Sequence, residues 1–301
     1  IKSHPYVEGV KLTLHVGISA GPLTCLSITR ARPAGQRQRS EFIVAGPPLE
    51  RISIAEPLAG PGETVCSPEV WAHVKDYFDG SEPSLRNQVA MRDKAAGYVK
   101  LDALLVEEDE VVDAPKMSLM SSTVELLKPY DVELIAPFVP RAFERILRSK
   151  HATATFVEHG KHAKAEIRQL TVAFCSFHGL NVAVEPQRTE DLVSCVDWAV
   201  RNYDGSINKF IVDDKGTLAV IVFGLPTSVH ENAATRCLAA IRLLQENLPS
   251  LSMSCWVGVT TAKTFCGAVG ARRRMEYTVM GDSVNLAARL MNACETCAGG
   301  A

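Results

Sequence analysis

The stretch EYTVMGDSVNLAARL (residues 276–290) joins a short apolar run to a helical pattern through a single glycine, Gly281. The apolar run predicts a strand, and the spacing after the glycine predicts a helix over Ser283–Ala293. Asn285 and Arg289 are four residues apart in this helix, so their side chains share one helix face. The order strand, glycine turn and helix is therefore the first predicted unit of the fold.

A second copy of the pattern occurs near the start of the chain. The segment EFIVAG (residues 41–46) matches EYTVMG (276–281), and Gly17 matches Gly258 further upstream in each copy. Each copy follows the order strand, hairpin, strand, glycine turn, helix. Two copies this far apart predict two related domains and not a solenoid.

The periodicity of apolar residues predicts an α+β chain with helices packed on a mostly antiparallel sheet. The predicted strands are 12–19, 23–29, 40–44, a short one within 63–66, 170–177, 207–212, 217–223, 253–261, 263–269 and 275–280, and the predicted helices are 49–59, a short one after Ser67, 189–203, 230–247 and 283–293. We predict a first domain over residues 1–106, a charged and proline-rich linker with one helix over 107–165, and a second domain over 166–301.

Composition narrows the class of protein. Of 301 residues, 47% are apolar and 22% are charged, which is typical of a soluble globular protein. A net charge of −2 with scattered basic residues argues against a nucleic-acid partner, and the longest apolar run, 218–225, is too short to span a bilayer. Nine cysteines without a disulfide pattern favour reduced thiols in the cytoplasm, and the C-x-x-C of Cys294 and Cys297 lacks the second pair that a zinc site needs.

The stretch 276–290 resembles the signature of the class III nucleotidyl cyclases. GSINKFIVDDKGTLAVIVFGLP (205–226), VGVTTAKTFCGAVG (257–270), LIAPFVPRAF (134–143) and the first copy extend this resemblance. The tandem arrangement is most similar to the bicarbonate-responsive soluble adenylyl cyclases, in which two unequal cyclase domains form one active site. The resemblance implies two ferredoxin-like cyclase homology domains, of which the first lacks its N-terminal half and the second its C-terminal strands.

The resemblance also implies a reaction, the conversion of ATP to cyclic AMP and pyrophosphate in intracellular signalling. It assigns Arg289 to transition-state stabilisation and Asn285 to orientation of the ribose. Lys209 and Thr278 match the pair that reads the purine, where guanylyl cyclases place Glu and Cys, and Val279 would contact adenine through its backbone. The residues alone leave open a solvated Asn and Arg, an edge-strand lysine and an ordinary β-strand threonine.

Cyclases of this class use two Mg²⁺ or Mn²⁺ ions held by two carboxylates. In the second domain Ser176 stands at the first of these positions. Asp213 and Asp214 lie in the hairpin of the second position, where a DDKG turn is favoured over the alternative of weak metal ligands. We therefore expect the metal ligands upstream of Ile1, in the missing half of the first domain, and expect a chain truncated at both ends to be inactive alone.

The first copy is predicted to be a degenerate site. Glu50 and Ile54 stand where the second copy has Asn285 and Arg289. The resemblance makes Arg51 the candidate partner of a regulatory anion, bicarbonate, while a structural or surface arginine remains the alternative.

Two other functions are compatible with the residues. One is a non-catalytic, nucleotide-responsive regulatory module, which would have lost the metal carboxylates. The other is a guanylyl cyclase, which Lys209 and Thr278 oppose.

Overall fold

The computed structural model describes residues 13–29, 39–84, 93–106, 133–134, 136–138, 165–213, 216–226, 228–271 and 274–298. The strands are β1 Val16–Ile18, β2 Thr24–Thr29, β3 Ser40–Ala45, β4 Thr64–Cys66, β5 Phe78–Ser81, β6 Val99–Leu104, β7 Glu166–His178, β8 Ser206–Asp213, β9 Gly216–Phe223, β10 Ser254–Ala271 and β11 Arg274–Met280. The helices are α1 Pro47–Leu58, α2 Pro68–Val74, α3 Pro186–Arg201, α4 Ala233–Asn247 and α5 Asp282–Ala298, with short 3₁₀ helices at Ala136–Phe138 and Leu248–Leu251. The chain divides into two compact units, Ile1–Thr24 with Ala45–Ser122, and Cys25–Val44 with Thr123–Ala301.

The second unit contains a five-stranded sheet in the order β11-β10-β7-β9-β8, in which every neighbouring pair is antiparallel. The succession β7-α3-β8-β9-α4-β10 is the ferredoxin-like arrangement, with β11 added beside β10. Buried apolar side chains of the central strands form its core, among them Leu170, Val172, Val220 and Val222. The predicted α+β class is confirmed.

The first unit has a four-stranded sheet in the order β1-β4-β6-β5, in which β1 and β4 are parallel and the other pairs antiparallel. Strands β5 and β6 were not predicted. Strands β2 and β3 form a separate two-stranded sheet, and their residues 25–44 cluster with the second unit.

The internal repeat is visible in how each copy packs its helix on its strand. A Cβ added to Gly17 would lie 2.6 Å from the backbone nitrogen of Glu56 in α1. A Cβ added to Gly258 would lie 2.5 Å from the backbone nitrogen of Met291 in α5. Glu56 and Met291 lie at the same distance from the matched glycine turns of the two copies. Both copies therefore need a residue without a side chain where the helix approaches the strand.

Strand β10 corrects one prediction. The predicted strands 253–261 and 263–269 are a single strand, Ser254–Ala271, in which Lys263 pairs with Gln169 of β7. The position equivalent to Lys263 in the first copy is Pro22. Proline has no backbone N–H for strand pairing, and Pro22 lies in the segment that separates strands β1 and β2. The break predicted for both copies therefore occurs only in the first.

Other boundaries move by a few residues. Helix α1 begins at Pro47, two residues before the predicted start, because proline suits the first turn of a helix. The predicted helix after Pro140 lies outside the described residues. Among the helices that the structure describes, none is long and apolar enough to cross a membrane.

Candidate active site

Strands β8 and β11 lie at opposite edges of the sheet order, yet their side chains meet. The Asn208 side-chain amide donates to the Tyr277 carbonyl at 3.2 Å. Lys209 Nζ lies 2.9 Å from Glu276 Oε1. The length of β10 explains the contact: its first part pairs with β7, and its last part extends beyond β7 to pair with β11. This end of the sheet therefore curls far enough for its two edges to touch.

A β-bulge in β8 presents these side chains. Ile207 pairs with Ile221 and Lys209 with Val220, so Asn208 is the extra residue. A bulge changes the direction in which neighbouring side chains point. Two consecutive residues, Asn208 and Lys209, consequently both reach β11.

The predicted base-reading residues occupy this contact between the sheet edges. Thr278 and Val279 are buried in β11, and the Lys209 side chain is half-buried. Thr278 Oγ1 donates weakly to its neighbour's carbonyl, that of Val279, at 3.4 Å. Lys209 contacts Glu276, two residues from Thr278, so the structure places Lys209 against the strand that carries Thr278.

Asn208 and Glu276, which also take part in this contact, were not predicted from the sequence. The Asn208 side-chain oxygen is buried and has no hydrogen-bond partner within the described part of the chain. The carboxylate of Glu276 takes up one of the three donors of the Lys209 ammonium group. This contact therefore involves a buried acceptor on Asn208 and the paired charges of Lys209 and Glu276.

The start of α5 is held by two threonines of β10. Thr260 Oγ1 donates to the Ser283 carbonyl at 2.8 Å, and the hydroxyls of Thr264 and Ser283 are 2.7 Å apart. The turn into the helix uses Gly281 at φ 146°, a conformation that favours glycine. The orientation of α5 is therefore set by contacts at its first turn.

Asn285 and Arg289 lie one turn apart on α5, and both are exposed. Neither side chain has a polar partner among the residues that the structure describes. An exposed amide and guanidinium on a helix whose start is fixed can contact a ligand without first breaking an internal bond.

Of the two positions that the resemblance gives to metal carboxylates, the described part of the second unit has a serine, Ser176, at the first and Asp213 at the second. Ser176 is buried and its hydroxyl lies 3.3 Å from His178 Nε2. Asp213 ends β8, and Asp214 lies outside the described residues. No group of three or more His, Cys, Asp or Glu side chains in the described ranges is arranged to hold a metal ion. A neutral serine hydroxyl does not replace the carboxylate that Mg²⁺ prefers.

Arg51, the candidate anion partner, is already engaged within the first unit. Its Nη1 donates to the Ala20 carbonyl at 3.2 Å, and its Nη2 lies 3.0 Å from Glu69 Oε1. A hydrogen bond from its own backbone N–H, together with the charge of Arg51, lowers the pKa of the Glu69 carboxyl group. Any anion bound by Arg51 would compete with this internal carboxylate.

Comparison with known proteins relates the whole chain to one enzyme class. The chain is 23% identical to adenylate cyclase type 10 of Oryctolagus cuniculus over 304 residues, which cover 94% of this chain, and 24% identical to that of Homo sapiens, with 96% covered. The chain is thus similar in sequence to these adenylate cyclases over nearly its whole length. It spans 18% of the length of these type 10 cyclases. An uncharacterised protein of Mycobacterium tuberculosis is 31% identical over 134 residues, which cover 42% of this chain.

No protein-family model matches this chain. Among solved structures, an adenylyl cyclase from P. aeruginosa aligns at a TM-score of 0.39 and 23% identity, covering 43% of this chain and 74% of that chain. A bacterial light-regulated adenylyl cyclase aligns at a TM-score of 0.44 and 15% identity, covering 55% and 49%. The relationship to the cyclases therefore rests on the sequence comparisons.

Proposed function

We propose that this chain forms the nucleotide-binding part of an adenylyl cyclase, which converts ATP to cyclic AMP and pyrophosphate in the cytoplasm for intracellular signalling. The observation that supports this most is the meeting of Lys209 and the strand of Thr278 across two sheet edges, in the same unit as α5. A donor near a buried strand, followed directly by a helix with an exposed amide and guanidinium, suits a nucleotide with a base, a ribose and phosphates.

The reaction forms one bond to the α-phosphorus and breaks one, and the ribose 3′-hydroxyl releases its proton to solvent. The ribose 3′-oxygen attacks the α-phosphorus of ATP, and the bond from that phosphorus to the bridging oxygen of pyrophosphate breaks. Negative charge accumulates on the oxygens around the α-phosphorus. Arg289 donates hydrogen bonds to these oxygens in the transition state, and Asn285 holds the ribose so that its 3′-oxygen is in line.

Recognition of adenine follows from its donor and acceptor pattern. The ring nitrogen N1 of adenine accepts a hydrogen bond, and the Lys209 ammonium group donates it. Thr278 contacts the neighbouring amino group through its hydroxyl, and Val279 contacts the ring through its backbone. Guanine carries a hydrogen on N1, so the ammonium group would meet a donor there.

The Mg²⁺ or Mn²⁺ ions of cyclases supply charge neutralisation at the phosphates. The carboxylates that hold them are expected from residues other than the described part of the second unit, where Ser176 stands at the first of the two positions. This same serine favours a second candidate function, a regulatory module that binds nucleotide and does not turn it over.

Bicarbonate regulation is the finer part of the proposal. We propose Arg51 as the anion partner, and its pairing with Glu69 supports a site with affinity for carboxylate-like anions. Bicarbonate would have to displace the Glu69 carboxylate, so activation would need a higher concentration than an open guanidinium requires.

Substitution of Arg289 tests the proposed chemistry. In the protein that carries this sequence, Arg289→Lys is expected to lower kcat by roughly 100-fold or more with little change in ATP binding, because the lost interaction forms only in the transition state. The matched control is Arg242→Lys on α4, where the guanidinium is exposed and pairs with Glu246. Equal activity of both variants would contradict the assigned role. Nucleotide binding without product in the unsubstituted protein would favour the regulatory module.

A further inference from the structure

A buried ion pair lies at the start of strand β3, between Arg39 just before the strand and Glu41 within it. Arg39 Nε donates to Glu41 Oε1 at 2.9 Å, and both side chains are about nine-tenths buried. Between them Ser40 is also buried, and its hydroxyl lies 2.8 Å from that of Thr29 on the facing strand. A charge pair is costly to bury unless its remaining donors are satisfied.

One of the remaining donors of Arg39 reaches the second cyclase copy. Arg39 Nη2 donates to the Ile207 carbonyl at 3.2 Å, within the same compact unit. Ile207 is the last residue in register before the bulge of β8. The regular hydrogen-bond ladder between β8 and β9 is interrupted at this bulge. The Arg39 guanidinium of the first copy contacts the Ile207 carbonyl, just before the interruption.

The bulge that Arg39 contacts is followed directly by Lys209, the proposed base-reading residue. Asn208 follows Ile207 and donates to β11, and Lys209 comes next and pairs with Glu276. A shift of the Ile207 carbonyl would move both side chains, because they belong to consecutive residues.

We propose that Arg39 is a positioning residue for the adenine site, acting through Ile207 on the bulge that presents Lys209. This inference rests on the proposed role of Lys209 in base recognition. Strands β2 and β3 of the first copy contribute no residue to the proposed chemistry. Through Arg39 they nevertheless determine nucleotide affinity and base selectivity in the second copy.

Three variants test the proposal. Arg39→Lys keeps a positive charge for Glu41 but cannot serve both partners, because an ammonium group lacks the planar fork of a guanidinium. The double variant Arg39→Met with Glu41→Leu removes both buried charges and leaves no unpaired carboxylate, which protects the fold. The matched control is Arg188→Lys, since Arg188 also pairs with a glutamate, Glu185, and donates to a backbone carbonyl outside β8, that of Gly179.

The first measurement is steady-state kinetics with ATP and GTP in the protein that carries this sequence. Both Arg39 variants are expected to raise the KM for ATP about tenfold and to lower the preference for ATP over GTP, with a smaller change in kcat, because one charge-assisted hydrogen bond to the bulge is lost. The Arg188 variant is expected to leave both values unchanged. Unchanged KM and selectivity in both Arg39 variants, in an active enzyme, would overturn the proposal.

The second measurement separates this inference from the proposed function. Hydrogen–deuterium exchange of residues 206–213 is expected to accelerate at least threefold in the Arg39 variants and not in the Arg188 variant. If the protein forms no cyclic nucleotide, the proposed function fails, and faster exchange together with weaker ATP binding would still support Arg39 as a positioning residue. Unchanged exchange in β8 would overturn it whatever the activity.

Discussion

Replacement of Gly258 by alanine perturbs the packing of α5, the helix that carries Asn285 and Arg289. The added methyl carbon would lie 2.0 Å from the Ala287 carbonyl oxygen and 2.5 Å from the Met291 backbone nitrogen. Both of these are backbone atoms, which cannot rotate away as a side chain can. The helix must therefore move off β10.

The distances set the size of the effect. Ordinary van der Waals contact begins at 3.4 Å, so the Ala287 oxygen has to retreat by about 1.4 Å. Overpacking of this kind costs about 2–3 kcal/mol of unfolding free energy, which lowers the melting midpoint by roughly 4–12 °C. A displacement near 1 Å of a catalytic group can lower turnover by about 100-fold.

Thermal unfolding followed by circular dichroism, together with cyclic AMP formation by the protein that carries this sequence, measures both effects. Gly17→Ala is the comparison variant, because its methyl group would approach the Glu56 backbone nitrogen of α1, a helix without Asn285 or Arg289 equivalents. We expect both variants to lose stability and Gly258→Ala to lose far more turnover. An unchanged melting midpoint in Gly258→Ala would refute the close helix–strand packing, and equal turnover in the two variants would refute the role of α5.

Three further predictions concern charges and thiols. Glu69→Gln frees Arg51 from its internal carboxylate, so a bicarbonate titration of cyclic AMP formation should reach half-maximum at a lower concentration, and an unchanged titration would remove Arg51 as the anion partner. Burial raises the pKa of Cys237 from 9.0 to about 12. As the pH rises above about 9, the unfolded chain loses a proton that the folded chain keeps, so the unfolding free energy falls by up to ~1.4 kcal/mol per pH unit for this thiol. Urea unfolding between about pH 8 and pH 10.5 checks this, and Cys237→Ala should reduce the slope by the share of this one thiol, because burial also raises the pKa of other cysteines such as Cys175 and Cys255. The double variant Lys209→Glu with Thr278→Cys should lower the rate of turnover of ATP relative to that of GTP. A higher ratio of ATP to GTP turnover would contradict the role of the two residues in base reading.

The fold was largely predictable where the signal is local. The glycines Gly17 and Gly258 and the glycine turns marked the repeat, and helices such as α3 and α4 showed a clear apolar face. Strands β5 and β6 were missed because segments such as FDGS carry no apolar alternation, and only pairing with distant strands makes them strands. The continuity of β10 was missed because the interruption in the first copy comes from Pro22, which the second copy lacks.

The candidate site residues were assigned from the resemblance and not from periodicity, and their roles stay predictions. Nothing local in the sequence places Lys209 beside Glu276, because their strands occupy opposite edges of the sheet and meet only through curvature. The pairing of Arg51 with Glu69 was missed for a similar reason, since it depends on how two helices of the first unit approach each other. Contacts of this kind are set by tertiary packing, which a pattern of apolar residues does not encode.

The most direct test of the account is product formation by the protein that carries this sequence, with ATP and GTP assayed in parallel in Mn²⁺. We predict cyclic AMP from ATP and little or no cyclic GTP from GTP. Cyclic GTP formation at an equal or greater rate, or no cyclic product from either nucleotide, would contradict the assignment of an adenylyl cyclase.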